Sequence, residues 1–209
     1  MSDEPRGFSS SLTPKNPDTI VENIEVLDCR GNGINFQGGS VNVSNALVWH
    51  NGINAFTSSQ AWSGTLDNAI SLDPDFDALN LFASVGESTS SGHSIKNFKS
   101  YGVNSGHVLF AIRANSAVNM NNLYFFGFGR GARVSGYSEY AQNMNGFEIM
   151  NIEASYSFGN PFDLASIFGS AADLVKKVPS GMNTVGADVS AFIWTIASQT
   201  GFLAEIGLE

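Results

Sequence analysis

Three carboxylates stand at alternate positions in the run Asp73-Pro74-Asp75-Phe76-Asp77. Hard oxygen ligands this close together on a loop are what Ca²⁺ takes, and Asp67 and Glu87 are near enough in the chain to assist. The run stops short of a complete calcium loop. No Gly follows Asp77, and Ser84 stands where a twelfth-position Glu would close the site. A solvated acidic turn accounts for the same residues. A second candidate is aromatic. Trp49-His50 and Trp62 fall on neighbouring repeats and, if exposed, would form a platform for sugar rings, with Tyr101, Tyr137, Tyr140 and Arg113 adding hydrogen-bonding groups. The alternative is that both Trp side chains fill corners or the core.

Other chemistry is thinly supplied. Outward charges are sparse: Glu25, Asp28, Asp67, Lys96, Lys99, Arg113, Glu148 and Glu153. Glycoside hydrolysis needs two carboxylates facing one bond. Glu25 and Glu153 share a repeat position but lie five repeats apart, so they are not such a pair. His50, His93 and His107 fall in different repeats and offer neither a Ser-His-Asp spacing nor a metal spacing. Gly127-Phe128-Gly129-Arg130-Gly131 lacks the Lys-Ser/Thr of a phosphate loop and reads as a turn.

Composition narrows the classes. The 209 residues suffice for one domain with a real core, and 43% are hydrophobic. A net charge of -9 disfavours unspecific binding to nucleic acid or to an anionic membrane, both of which need basic side chains. Only 14% of residues are charged, and the remaining polarity comes from Asn, Ser, Thr and Gly. The single Cys29 excludes an internal disulfide and reads as a buried thiol. No run approaches a membrane span, and the polar start, Met1 to Arg6, has no apolar core of a signal peptide.

What must position these residues is a repeat. Val21-Glu22-Asn23-Ile24 returns as Val43-Ser44-Asn45-Ala46, Leu66-Asp67-Asn68-Ala69 and Ile95-Lys96-Asn97-Phe98, then as Met120-Asn121-Asn122-Leu123 and Ile149-Met150-Asn151-Ile152. The Asn positions are 22, 23, 29, 25 and 29 residues apart, the length of stacked units that bury apolar faces on their neighbours. Alternation such as Ile24 and Val26 in, Glu25 out, is that of strands rather than helices. Second and third apolar stretches in each unit, with Gly at the corners, give three short strands per coil. The expectation is an all-β, right-handed parallel β-helix of about six coils. The repeating Asn is then scaffold, because Asn tolerates a left-handed backbone and its amide can bond the coils above and below. The two longer units place inserted loops near residues 73–93 and 127–145.

The expected organisation is an arm or N-terminal cap at 1–18, the β-helix at 19–158, and a helical capping segment with a tail at 159–209. Residues 161–178 have helical apolar spacing, and this helix is expected to cover the last coil, with Asp188 capping a second short helix. The first coil has no evident cap, so end-to-end self-association is expected as one option.

Residues 33–70, with Gly38-Gly39 and Gln60-Ala61-Trp62-Ser63-Gly64, resemble a segment of large secreted β-helix proteins and lipoproteins of Bacteroidota. Residues 186–203 resemble their C-terminal ending. The resemblance implies a cell-surface or extracellular protein of pectin-lyase-like shape. Members tend to have acidic residues where this chain has Asn32, Asn35, Asn51 and Asn54. The functional expectation is a non-catalytic scaffold that binds carbohydrate or a protein partner through a lateral face and inserted loops. The alternative is a polysaccharide lyase or glycoside hydrolase. No cofactor is expected beyond Ca²⁺ at Asp73, Asp75 and Asp77.

Overall fold

A computed structural model describes residues 10–12, 19–58, 62–81, 92–102, 108–112, 118–129, 131–136, 148–156 and 163–208. The chain alternates between two parallel sheets. One contains β1 (Ser10–Leu12), β3 (Ile34–Phe36), β5 (Phe56–Ser58), β7 (Asp77–Leu81), β9 (Val108–Ile112) and β11 (Arg133–Ser135) in that order. The other contains β2 (Ile20–Leu27), β4 (Asn42–Trp49), β6 (Thr65–Leu72), β8 (His93–Tyr101), β10 (Val118–Phe128) and β12 (Glu148–Tyr156), closed by β13 (Val175–Lys177). Every pairing between the described strands is parallel, and the six levels from β2 to β12 make about five turns of a β-solenoid. Ser10–Leu12, within the expected arm, is a strand on β3.

The third stretch of each repeat is not a separate strand. It runs straight into the Asn stretch, so β4 begins at Asn42 and passes through Asn45 without a break. The bend that a third strand was expected to supply comes instead from one residue per coil. Asn23, Asn45, Asn68, Asn97, Asn122 and Asn151 all have φ between 50° and 61°. The register accordingly skips them, pairing Glu22 with Ser44 and then Ile24 with Ala46. A left-handed residue turns the strand while leaving apolar positions on both sides of it facing inward, as with Val43 and Ala46.

The Asn amides connect the coils. Asn45 Nδ2 donates to Asn23 Oδ1 at 3.1 Å and Asn68 Nδ2 to Asn45 Oδ1 at 2.7 Å. Asn122 Nδ2 donates to Asn97 Oδ1 at 3.1 Å. Asn97 Nδ2 turns to Asp67 Oδ1, and Asn151 Nδ2 to Asn121 Oδ1. Asn32 and Asn54 form a second, shorter ladder, in which each Oδ1 accepts the N–H of the coil above, Asn54 and Asp77 respectively. Asn45→Ala is expected to cost about 2 kcal/mol, from the left-handed backbone and one hydrogen bond. Asn45→Gly should recover the backbone part. Urea midpoints of the two variants would separate the contributions.

Inside, Ile34, Phe56, Leu79 and Phe110 stack along one sheet and Ala46, Ala69, Phe98 and Leu123 along the other, in one continuous core. The C-terminal helix is much shorter than its periodicity suggested. α1 (Leu164–Phe168) ends at Gly169, whose φ is +55°, and a 3-10 turn (Gly169–Leu174) leads directly into β13. Ile167, Phe168 and Ala171 enter the main core and close this end.

Candidate functional site

Beyond β13 the chain turns back across the outside of the larger sheet. The row it crosses is Glu25, Leu47, Ile70, Lys99, Tyr124, Glu153 and Lys176, one residue from each successive strand. Three of these, Glu25, Lys99 and Glu153, were expected to face solvent as charges. At the last level the Glu153 carboxylate accepts the Thr184 N–H at 2.6 Å, the Thr184 hydroxyl at 2.9 Å and Lys176 Nζ at 3.3 Å. Burial alone would raise the Glu153 pKa, but these donors outweigh it and hold the carboxyl below its ordinary value. Gly186, at φ +113°, passes where a Cβ would meet Lys99 Cγ at 2.7 Å. The cover lowers the Lys99 pKa through burial, with Asp188 opposing. At the third level, Asn68 Oδ1 accepts the Asp188 N–H at 2.6 Å, and here the Asn ladder breaks.

The strap then buries Val189 and Phe192, from the 3-10 turn Val189–Phe192, on Leu47, Ile70 and Leu72. Asp188 caps this turn, its side chain accepting from Ser190 N. At the first level the Glu25 carboxylate accepts the N–H of Ile196 at 2.9 Å and of Ala197 at 3.2 Å, at the start of α2 (Ile196–Gln199). Glu25 and Glu153, too far apart for joint catalysis, are therefore the two clasps of one strap. The chain finally reverses into α3 (Phe202–Glu205), which returns along the corner of the solenoid.

That corner gathers most of the candidate residues that can be placed. Asp28, His50 and Asp73 follow β2, β4 and β6 and have φ near 50°, a second left-handed row parallel to the Asn row. The backbone holds them in line: the N–H groups of Asp28, His50 and Asp73 donate to the carbonyls of Trp49, Leu72 and Tyr101. His50 Nδ1 lies 3.5 Å from Asp28 Oδ1 and Nε2 lies 4.0 Å from Asp73 Oδ2. The imidazole thus stands between two carboxylates, an arrangement that linear spacing had not suggested. Trp49 stacks on Phe202 at 4.6 Å and 15°, and Tyr101 meets Phe202 edge-on. Burial raises the Tyr101 pKa, and the charges of Asp73 and Glu205 add to this. Phe202 and Glu205 come from the strap, and no sequence motif marked either as part of this corner.

The remaining candidates are placed differently. Trp62 is inside the solenoid, stacked on Phe36 at 4.0 Å and 6°, with Nε1 donating to the Val41 carbonyl at 3.0 Å. One face of Trp49 is taken by Phe202, so the two indoles form no shared exposed platform. Asp75 is exposed, whereas Asp77 is buried at the start of β7. Asp73 is aligned with His50, and among the described residues no group of three or more His, Cys, Asp and Glu is placed to hold a metal ion. Arg113, Tyr137, Tyr140, His107 and residues 82–91 and 137–145 of the two insertions lie outside the described residues. Among the described residues no helix is long and apolar enough to cross a membrane. Cys29 is buried, its Sγ 3.6 Å from the Gly31 carbonyl, and burial raises its pKa.

A parallel solenoid with this repeat length agrees with the comparison to known families. A family profile described as a pectate-lyase-like beta helix domain matches residues 12–161. The chain belongs to the pectate-lyase-like β-helix family. The match ends before the short helix, so the strap lies outside the matched region. Searches of curated proteins and of solved structures return no match.

Proposed function

We propose that this pectate-lyase-like β-helix is a non-catalytic extracellular scaffold that binds carbohydrate along the corner formed by Asp28, His50, Asp73, Trp49 and Tyr101. The observation that carries this reading is the row itself. It sets three polar side chains on successive coils, about 4.8 Å apart by strand spacing, with fixed backbone conformations and aromatic neighbours. Carboxylates accept hydrogen bonds from adjacent sugar hydroxyls, and imidazole can donate or accept. Aromatic edges beside them favour the C–H faces of a sugar ring. The two carboxylates on the broad face, Glu25 and Glu153, are already engaged by the strap, which favours a structural use of that face.

The second reading is a polysaccharide lyase or glycoside hydrolase. It is favoured by the family and by the His50 imidazole between two carboxylates, a group suited to proton transfer. One set of measurements separates the two. Affinity electrophoresis against neutral and acidic polysaccharides should show retardation that Asp28→Asn/Asp73→Asn weakens by about tenfold, near 1.4 kcal/mol. His50→Ala should weaken it as well, and chelation should leave it unchanged. Absence of retardation with every polysaccharide would overturn the binding reading. Unsaturated or new reducing-end products, lost in His50→Ala, would establish the enzyme instead.

A further inference from the structure

The strap is held to the solenoid in two different ways. Up to α2 it is clasped by polar groups: Glu153 holds Thr184, Asn68 holds Asp188, and Glu25 holds Ile196 and Ala197. α3 is held through apolar side chains. Leu203 is fully buried, and Phe202, Ile206 and Leu208 are half-buried in one cluster with Leu47, Leu72, Trp49 and Tyr101. The N–H groups of Glu205, Ile206, Gly207 and Leu208 donate to the carbonyls of Gly201, Phe202, Ala204 and Leu203, within the segment itself. A single helical turn has no stability of its own, so α3 keeps its form because it is docked. Gly201 joins it to α2 in a left-handed conformation, φ +79°, with open space where a Cβ would stand.

What α3 docks on is Trp49. The Phe202 ring lies almost parallel to the indole, with centroids 4.6 Å apart. Trp49 belongs to the outward row Leu27, Trp49, Leu72 and Tyr101, so its burial comes from the strap that crosses this row. That burial is imperfect. Trp49 Nε1 is buried without a hydrogen-bond partner. The other two indoles are satisfied, Trp62 by the Val41 carbonyl and Trp194 by the Ala191 carbonyl. An indole N–H only donates and ordinarily finds a partner when buried. Leaving it without one weakens the docked state. Beside it stands His50, with ring centroids 5.0 Å apart, flanked by the Asp28 and Asp73 carboxylates.

We propose that α3 is an autoinhibitory lid: Phe202 occupies the face of Trp49 on which a pyranose ring of the polysaccharide stacks, and ligand binding lifts residues 201–208 away. The inference rests on the carbohydrate reading of this corner and adds that the resting molecule keeps its aromatic half closed. Phe202 lies on the indole as a flat ring, the place and orientation that the C–H face of a pyranose takes. Lifting it frees the Trp49 face and gives the Nε1 N–H a sugar hydroxyl to donate to, next to carboxylates that accept from neighbouring hydroxyls. The movement is local, because the Glu25 clasp on Ile196 and Ala197 holds the strap on the near side of Gly201. A ligand that binds only the open state shifts the population by its preference for that state, and the closed fraction lowers its apparent affinity.

Two measurements on the full chain test this, both with the polysaccharide that most retards the wild type in affinity electrophoresis. Phe202→Ala should bind it about tenfold more tightly, because the competing ring is gone. Hydrogen exchange on the wild type needs no variant. With saturating polysaccharide the amides of Glu205, Ile206, Gly207 and Leu208 should exchange faster, while those of Ile196 and Ala197 stay protected. Equal or weaker binding by Phe202→Ala overturns the lid and leaves the corner reading standing, as does exchange at 205–208 that ligand leaves unchanged or slows. Absence of binding to every polysaccharide by both proteins removes the corner reading, and the lid with it.

Discussion

Phe192→Ala is expected to destabilise the protein by about 3–5 kcal/mol and to change the form of its unfolding transition. Phe192 has no solvent exposure and packs with Leu47, Ile70 and Leu72 under the strap. Its truncation removes a large apolar contact and leaves a cavity beneath a segment that is only one layer thick. The second consequence follows from architecture. In a solenoid each coil touches only its neighbours, so the stability is a sum of local terms and unfolding can begin at either end. Here the strap bonds Glu153 at one end and Glu25 at the other, tying together coils that share no other contact. Intact, it should make unfolding a single transition. With Phe192→Ala, fluorescence of Trp62 inside the solenoid and of Trp194 on the strap should part, the strap melting first. Coincident transitions at an unchanged midpoint would show that the strap is not a coupling element.

His93 carries the second large effect, a loss of stability in mild acid. The side chain is buried beside Trp62, with ring centroids 5.0 Å apart, and Nε2 is buried without a hydrogen-bond partner. Burial lowers its pKa to about 4, although a hydrogen bond to the Trp62 backbone acts in the opposite direction. The folded protein therefore holds His93 neutral while the unfolded chain protonates it near the ordinary value of 6.5. Between these values the unfolded state binds more protons, so stability is full above pH 6.5 and falls as the pH drops toward 4. The loss is roughly 3 kcal/mol, from about 2.5 pKa units at 1.36 kcal/mol each. Glu153 adds to the acid sensitivity lower down. Its pKa is depressed, so its contribution is present above the unfolded carboxyl pKa and is lost as the pH falls through the folded one. Urea melts from pH 7 to pH 4 should show the steep segment in the wild type and a much flatter one in His93→Phe. An equal slope in both would remove His93 as the cause.

Much of the fold was legible because the Asn residues obey a local rule. A left-handed position recurs once per coil, Asn occupies it at little cost, and flanking apolar residues must face inward on either side. That relation is carried by four consecutive residues, so it survives in linear text. The three-strand coil was misread for the same reason. Apolar stretches separated by Asn look like separate strands, yet the backbone turns at Asn45 within one strand. The helical spacing of residues 161–178 was misleading because Gly169 interrupts it and Val175–Lys177 pairs with β12.

The corner and the strap were legible only in pieces. Trp49, His50 and Tyr101 belonged to one aromatic candidate and Asp73 to an acidic one, and Asp28 was one charge among several. Their alignment depends on the register of successive coils, a sum of loop lengths that no single repeat contains. The distance from Glu25 to Ile196 along the chain is 171 residues. Nothing near either residue announces the bond.

The sequence by itself therefore determined the stacking: the period, the Asn turns, the inward apolar rows and the absence of a disulfide. Tertiary structure decided what lies outside the stack. Leu47 and Ile70 are apolar on an outward row, and whether such residues meet solvent, a partner or the chain's own tail is settled by where residues 183–208 dock. Local backbone preference acts within a few residues and can be read in order. Docking is decided by burial and hydrogen bonding between segments far apart in the chain, and that information exists only once the coils have formed the surface the strap binds.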